Sequence, residues 1–158
     1  IVGGDGVSYG AKPAAGTTWK ERFLDEVRND IDPERIDFVG TIPHEIFTTL
    51  LQVSACHVYL TYPFVLSWSM LEAMSAGCVV VGSRTTPVEE VITHGENGLL
   101  VDFFSPSAIA EQVCQVLAAP QDYAPVRQLA RQTILDRYDL KRICLPQHLA
   151  LIDELASR

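Results

Sequence analysis

The chain has 158 residues, of which 47% are hydrophobic and 20% charged, with a formal net charge of −8. That composition excludes a disordered chain and suffices for one domain with a real core. The acidic balance excludes nucleic acid or an anionic membrane as a general partner, although backbone N–H groups can still build a local anion site.

The opening IVGG reads as the end of a buried strand, followed by a Gly- and Pro-rich loop, DGVSYGAKPAAG. Thr17 or Thr18 is placed to cap a helix reaching Asn29, with Phe23, Leu24 and Val27 on one face. IDPER is a turn, and residues 36–40, IDFVG, read as a short strand. Pro43 suits the first position of a helix whose inner stripe is Ile46, Phe47, Leu50 and Leu51. A strand over 57–63, a Ser-capped helix over 67–76 and a valine-rich strand over 78–83 follow. A short helix near Pro87–Thr93 leads through His94–Gly98 into the strand LLVD. Ser105 and Pro106 start a helix with Ile109, Val113, Val116 and Leu117 inward. Beyond Pro125 the chain reads as two helical segments broken near Tyr138–Asp139.

Short, continuously apolar strands alternate with helices, which predicts an α/β fold with a Rossmann-like, doubly wound parallel sheet and extra C-terminal helices. Ligands in such sheets bind beyond the C-terminal ends of the strands. The loops to watch are therefore Gly4–Gly10, Gly40–Pro43, Tyr62–Ser67, Ser83–Pro87 and Asp102–Ser105.

The cysteines, Cys56, Cys78, Cys114 and Cys144, form no CxxC pair and no metal-ligand spacing with a histidine, so buried free thiols in a reducing compartment are expected. No apolar run approaches the roughly 18 residues of a membrane helix. No signal peptide is read, and the chain begins at Ile1 without Met, as a piece of a longer protein would.

Gly4, Gly6 and Gly10 miss the GxGxxG spacing by one residue, and Ala11-Lys12-Pro13 blocks the helix that motif needs, so a flexible turn is the better reading. The helix start at Ser67-Trp68-Ser69 offers an amide-rich positive pole suited to phosphate, but every helix start in the fold offers one. On a helical wheel Glu72 points away from Met70, Leu71 and Met74. That favours a solvated acid; the alternative is a carboxylate accepting two bonds from a diol such as ribose. His44, His57, His94 and His148 have no nucleophile at a recognisable spacing, and His57 reads as structural.

Three stretches form one pattern: F-V-L-S-W-S-M-L-E-A-M-S-A-G-C-V-V-V, T-T-P-V-E-E-V-I and G-E-N-G-L-L-V, with F-V-G-T-I-P-H-E-I-F upstream. Residues 38–101 resemble the nucleotide-sugar-binding C-terminal domain of GT-B fold retaining glycosyltransferases, the group 1 or family 4 set. The resemblance implies that residues 1–158 are a single donor-binding domain whose N-terminal acceptor domain lies outside this chain. It implies transfer from a nucleotide-diphosphate sugar to a glycan or lipid-linked acceptor, with no metal or other cofactor. By motif position Glu72 would bind ribose hydroxyls, Ser67, Trp68 and Ser69 the diphosphate, and Thr41 and Ile42 the base; the role of Glu90 is open. Phe64 stands where the first acid of the E-x7-E motif belongs, so recognition of the transferred sugar should differ.

Further departures are Ser67 for a glycine and Thr86-Pro87 for a Gly pair. The family's phosphate-clamping Arg/Lys pair lies upstream of Ile1 in the usual order, so this piece alone should be inactive. The resemblance also implies a cytoplasmic protein, peripheral at the inner membrane when whole, in polysaccharide or glycolipid assembly. A sugar-nucleotide epimerase of the same architecture and a non-catalytic binding subunit are the rival readings.

Overall fold

The computed structural model describes residues 1–7, 10–62 and 65–157, and the chain divides into two compact units, Ile1–Phe47 and Thr48–Arg158.

In the first unit, Thr18 caps helix α1 (Trp19–Glu26) through a reciprocal capping box with Glu21. The Thr18 hydroxyl accepts from the Glu21 amide at 3.1 Å, and the Glu21 carboxylate accepts from the Thr18 amide at 2.7 Å. Those bonds hold the Glu21 carboxyl below its ordinary pKa. The helix stops at Glu26, short of the expected Asn29, and none of its residues is buried. The two expected strands are reduced to one parallel bridge, Val2 to Gly40. Hydrogen bonds from Val39 N to Ile1 O and from Gly3 N to Gly40 O flank it. Helix α2 (His44–Val53) begins just after Pro43. Of its expected stripe, Leu51 is buried and Phe47 half-buried, whereas Ile46 and Leu50 are exposed.

The second unit is an α/β layer structure. Strands β1 (Cys56–Tyr59), β2 (Val79–Ser83) and β3 (Leu99–Val101) form a parallel sheet in the order β1-β2-β3. Helix α3 (Trp68–Ser75) crosses from β1 to β2, and α4 (Thr86–Glu89) lies between β2 and β3. Then come α5 (Pro106–Ala118), α6 (Ala124–Arg137) and α7 (Leu145–Ala156), with a π-helical turn at Leu140–Cys144 where the helical break was expected.

Alternation along β2 explains the two covered faces. Val79 and Val81 pack with Leu99, Val101 and Val116 of α5, and with half-buried Ile109, Val113 and Tyr123. Leu117, expected inward, is exposed. On the other face, a Cβ placed on Gly82 would meet Val88 at 3.2 Å, and α3 and α6 cover the sheet. Met70, Ala73 and Met74 of α3 are fully buried there. All five residues of β2 are buried, as a central strand enclosed on both sides and both faces must be.

Two turns are dictated by glycine. Gly77 (φ +73°) ends α3 in a Schellman motif: the Cys78 amide donates to Ala73 O at 2.9 Å and the Gly77 amide to Met74 O at 3.0 Å. This reverses the chain directly into β2. At Gly98 a Cβ would lie 2.8 Å from Cγ2 of Ile92, so the turn into β3 has no room for a side chain. Asn97 holds that turn: its Oδ1 accepts from the Thr93 amide at 2.8 Å, and its Nδ2 donates to Val91 O at 2.9 Å. The motif H-G-E-N-G is thus a structural turn.

Candidate functional site

Because the three strands are parallel, their C-terminal ends share one edge, and the loops after β1, β2 and β3 meet the solvent there. Strand β1 is shorter than the expected 57–63. Beyond Tyr59 the backbone turns to side-chain partners: the Thr61 amide donates to Ser83 Oγ at 3.0 Å, and Ser83 Oγ donates to Thr61 O at 2.8 Å. Ser83 is fully buried and so ties the loop after β1 to the end of β2. Tyr59 is buried, and its phenol oxygen accepts from the Ser67 amide at 2.8 Å. These two side chains fix where α3 starts. Tyr59 was not singled out in the sequence, and Ser83 only as the start of a loop to watch, because their partners lie 8 and 22 residues away.

At the tip of α3, Ser67 is the N-cap, and its hydroxyl accepts from the Ser69 amide at 3.3 Å. The Ser67 and Ser69 hydroxyls lie 3.1 Å apart. The tip therefore presents two hydroxyls at the positive end of a helix dipole, while the Ser67 and Ser69 amides already have protein partners. Trp68 is 80% exposed beside them. One turn along, Glu72 is half-buried, which departs from the solvated acid that the wheel favours.

Glu90 is exposed at the C-terminal end of α4, and its carbonyl accepts from Arg137 Nη2 at 3.3 Å. Thr41 and Ile42 belong to the first unit, on the segment joining Gly40 to α2; Thr41 is exposed and Ile42 half-buried. A Cβ on Gly4 would lie 3.6 Å from Thr41 Oγ1, which brings the glycine loop beside that segment. Phe64 lies outside the described residues.

Burial sets the titration of the groups at the start of β1 and just before β2. It pushes the Cys78 thiol up to about 11, raises Cys56 and lowers His57. Thiols so protonated are inert as nucleophiles at neutral pH. All four cysteines are free, but Cys114 is exposed rather than buried as expected, on the outer side of α5. Among the described residues no group of three or more His, Cys, Asp or Glu could hold a metal ion, and no helix is long and apolar enough to cross a membrane.

The family model described as "Glycosyl transferases group 1" matches residues 7–119. Over 121 residues the chain is 26% identical to N-acetyl-alpha-D-glucosaminyl L-malate synthase of Bacillus anthracis, covering 77% of this chain and 31% of that protein. Sucrose-phosphate synthase from Thermosynechococcus elongatus superposes with a TM-score of 0.73 at 23% identity, over 88% of this chain and 34% of that one. Anabaena Alr3699/HepE, solved with UDP and glucose, superposes with a TM-score of 0.72 at 18% identity, over 87% and 35%. The chain thus spans about a third of the length of these relatives. The fold is that of a GT-B glycosyltransferase domain, and the chain belongs to the glycosyl transferases group 1 family.

Proposed function

We propose that this chain is the donor-binding domain of a retaining glycosyltransferase that takes a sugar from a nucleotide-diphosphate sugar. One observation carries the reading: the hydroxyl pair of Ser67 and Ser69 stands at the dipole end of α3, one turn before the half-buried Glu72. A diphosphate at that tip would accept bonds from both hydroxyls, and the long 3.3 Å contact from the Ser69 amide to Ser67 Oγ is the one most easily exchanged for a phosphate oxygen. Glu72 would then accept two hydrogen bonds from the adjacent hydroxyls of the pentose. The two anchors together would fix the donor's orientation, leaving the glycosidic bond as the part free to react. Trp68, exposed next to the tip, is assigned to packing against the donor.

Thr41 and Ile42 are assigned to the base, and Glu90 to a supporting role through α4. Phe64 occupies the position of the acid that would contact the transferred sugar. An aromatic ring there would offer shape and an apolar face where an acid would accept hydrogen bonds, so sugar preference is proposed to differ from that of relatives with the acid. The negative charge released on the leaving diphosphate would be offset by the helix dipole and hydroxyls, with no resident metal assigned. Turnover is proposed for the whole protein, of which this chain matches about a third in its relatives, and the acceptor is proposed to be a glycan or glycolipid met through the remainder.

HepE was solved with UDP and glucose, which makes UDP-glucose the first donor to try. The test is a calorimetric screen of the full-length protein against UDP-, GDP- and ADP-glucose, followed by product analysis with and without acceptor. One nucleotide sugar should bind and be consumed only with acceptor. Binding of none, or conversion of the donor sugar without acceptor, would remove the transferase reading; the latter result is the one an epimerase gives.

A further inference from the structure

Helix α6 is tied to the turn before β3 through one side chain, Asn97. Its Nδ2 donates to Val91 O at 2.9 Å and to Oγ1 of Thr133, on α6, at 3.0 Å. Thr133 Oγ1 donates in turn to Leu129 O at 2.8 Å, so toward Asn97 it acts as acceptor. Asn97 Oδ1 accepts from the Thr93 amide at 2.8 Å. Both amide hydrogens and the carbonyl oxygen of Asn97 are therefore engaged, and the residue is only 6% exposed. Gly98 follows directly, in a parallel bridge with His94.

An asparagine followed by a glycine carries its own reaction. The Gly98 amide nitrogen can lose its proton and attack Cγ of Asn97, with no Cβ on the glycine to hinder the approach. A new C–N bond forms, the Cγ–Nδ2 bond breaks, and Nδ2 leaves as ammonia with the proton given up by Gly98. Water then opens the cyclic imide at either carbonyl, leaving an aspartate or a β-linked isoaspartate at position 97. Water is the sole co-reactant. The step needs Cγ to swing onto the backbone nitrogen, so the side chain must first let go of Val91, Thr93 and Thr133.

We propose that Asn97–Gly98 is a deamidation site that the folded turn keeps closed and unfolding opens, so that a reversible loss of structure becomes permanent. Neither product fits the turn. An aspartate puts a carboxylate oxygen where Nδ2 now donates, facing the Val91 carbonyl. Two acceptors then meet, and a charge is buried without a partner. An isoaspartate routes the main chain through an added methylene next to Gly98, where even a Cβ would lie 2.8 Å from Ile92 Cγ2. The damage does not stay local, because Leu99 and Val101, just downstream, pack with Val79, Val81 and Val116. Asn29, the other asparagine of the chain, is the contrast: it is exposed and precedes Asp30, so folding shields it little. The protein thus keeps a covalent record of time spent with the turn open, whatever the tip of α3 binds.

The experiment incubates the full-length protein at mildly alkaline pH, folded in buffer and unfolded in guanidinium chloride, and follows position 97 by peptide mapping. Conversion at Asn97 should be at least roughly tenfold slower in the folded protein, with a much smaller ratio at Asn29. On dilution out of denaturant, the refolded fraction should fall in step with conversion at Asn97. Thr133→Val, at a half-buried helix position, removes the bond to α6. It should speed conversion in the folded protein several-fold and leave the unfolded rate unchanged. Asn97→Asp, made directly, should lose stability or fail to fold. The inference is overturned by equal conversion in the two states, by full refolding of converted chains, by an unchanged rate in folded Thr133→Val, or by an Asn97→Asp protein as stable as the parent.

Discussion

Two regions of this chain begin from similar apolar runs and end differently. In the second unit, VVVGS becomes a strand with every residue buried, paired on both sides and covered by α5 on one face and by α3 and α6 on the other. In the first unit, IVGG and IDFVG meet through a single bridge; Ile1 is 72% exposed, and Phe38 and Val39 are exposed as well. An apolar, β-branched run is a strand only where neighbours satisfy its backbone and cover its faces. Stability should therefore be concentrated in the crossover from β1 through α3 to β2.

Substitutions can break or sharpen that contrast. The largest effect is expected for Met74→Ala, which opens a cavity between α3 and the sheet and should cost about 2–5 kcal/mol in urea unfolding. Phe23→Ala, on a helix with no buried residue, should by comparison stay within about 0.5 kcal/mol, as surface changes do. Equal losses at the two positions would abolish the contrast. Gly98→Ala follows, because its methyl would sit 2.8 Å from Ile92; overpacking of this kind costs roughly 1–3 kcal/mol, and Ile92→Val should recover part of it in the double variant. Ser83→Ala strands the Thr61 amide and carbonyl; its expected cost, again about 1–3 kcal/mol, should come with faster amide exchange in residues 60–67.

The smallest effect is a pH dependence. Burial holds the His57 pKa below 6.5, so the folded chain keeps the ring neutral while the unfolded chain protonates it. Stability from this source is complete above pH 6.5 and falls as the pH drops through 6.5 toward the folded value. In urea unfolding series across that window, His57→Gln should flatten the slope; an unchanged slope would show that burial of this ring is not its cause.

Much of the fold was legible in the sequence because its signals are local. Ser67 as a cap, Ala76-Gly77 as a helix stop and Ser105-Pro106 as a helix start act within a few residues and stand where expected. Strand extent was not legible in the same way. Tyr59 ends β1 because Thr61 finds Ser83, 22 residues away, and no local pattern encodes that bond. Glu72 shows the same limit at the candidate site. A helical wheel ranks the faces of α3 against one partner, but α3 packs against both β2 and α6, so a residue off the main apolar face is still half-buried.

The central claim is that one helix tip and its single acid hold a nucleoside diphosphate, and the most direct measurement is UDP affinity in Glu72→Gln against the parent chain, followed by amide shifts. Hydrogen bonds to a charged group contribute about 1.5–3 kcal/mol, so affinity should fall roughly ten- to a hundredfold while shifts at Ser67–Ser69 persist at higher UDP. Unchanged affinity in a folded variant, or UDP shifts that bypass Ser67–Glu72 altogether, would contradict the account.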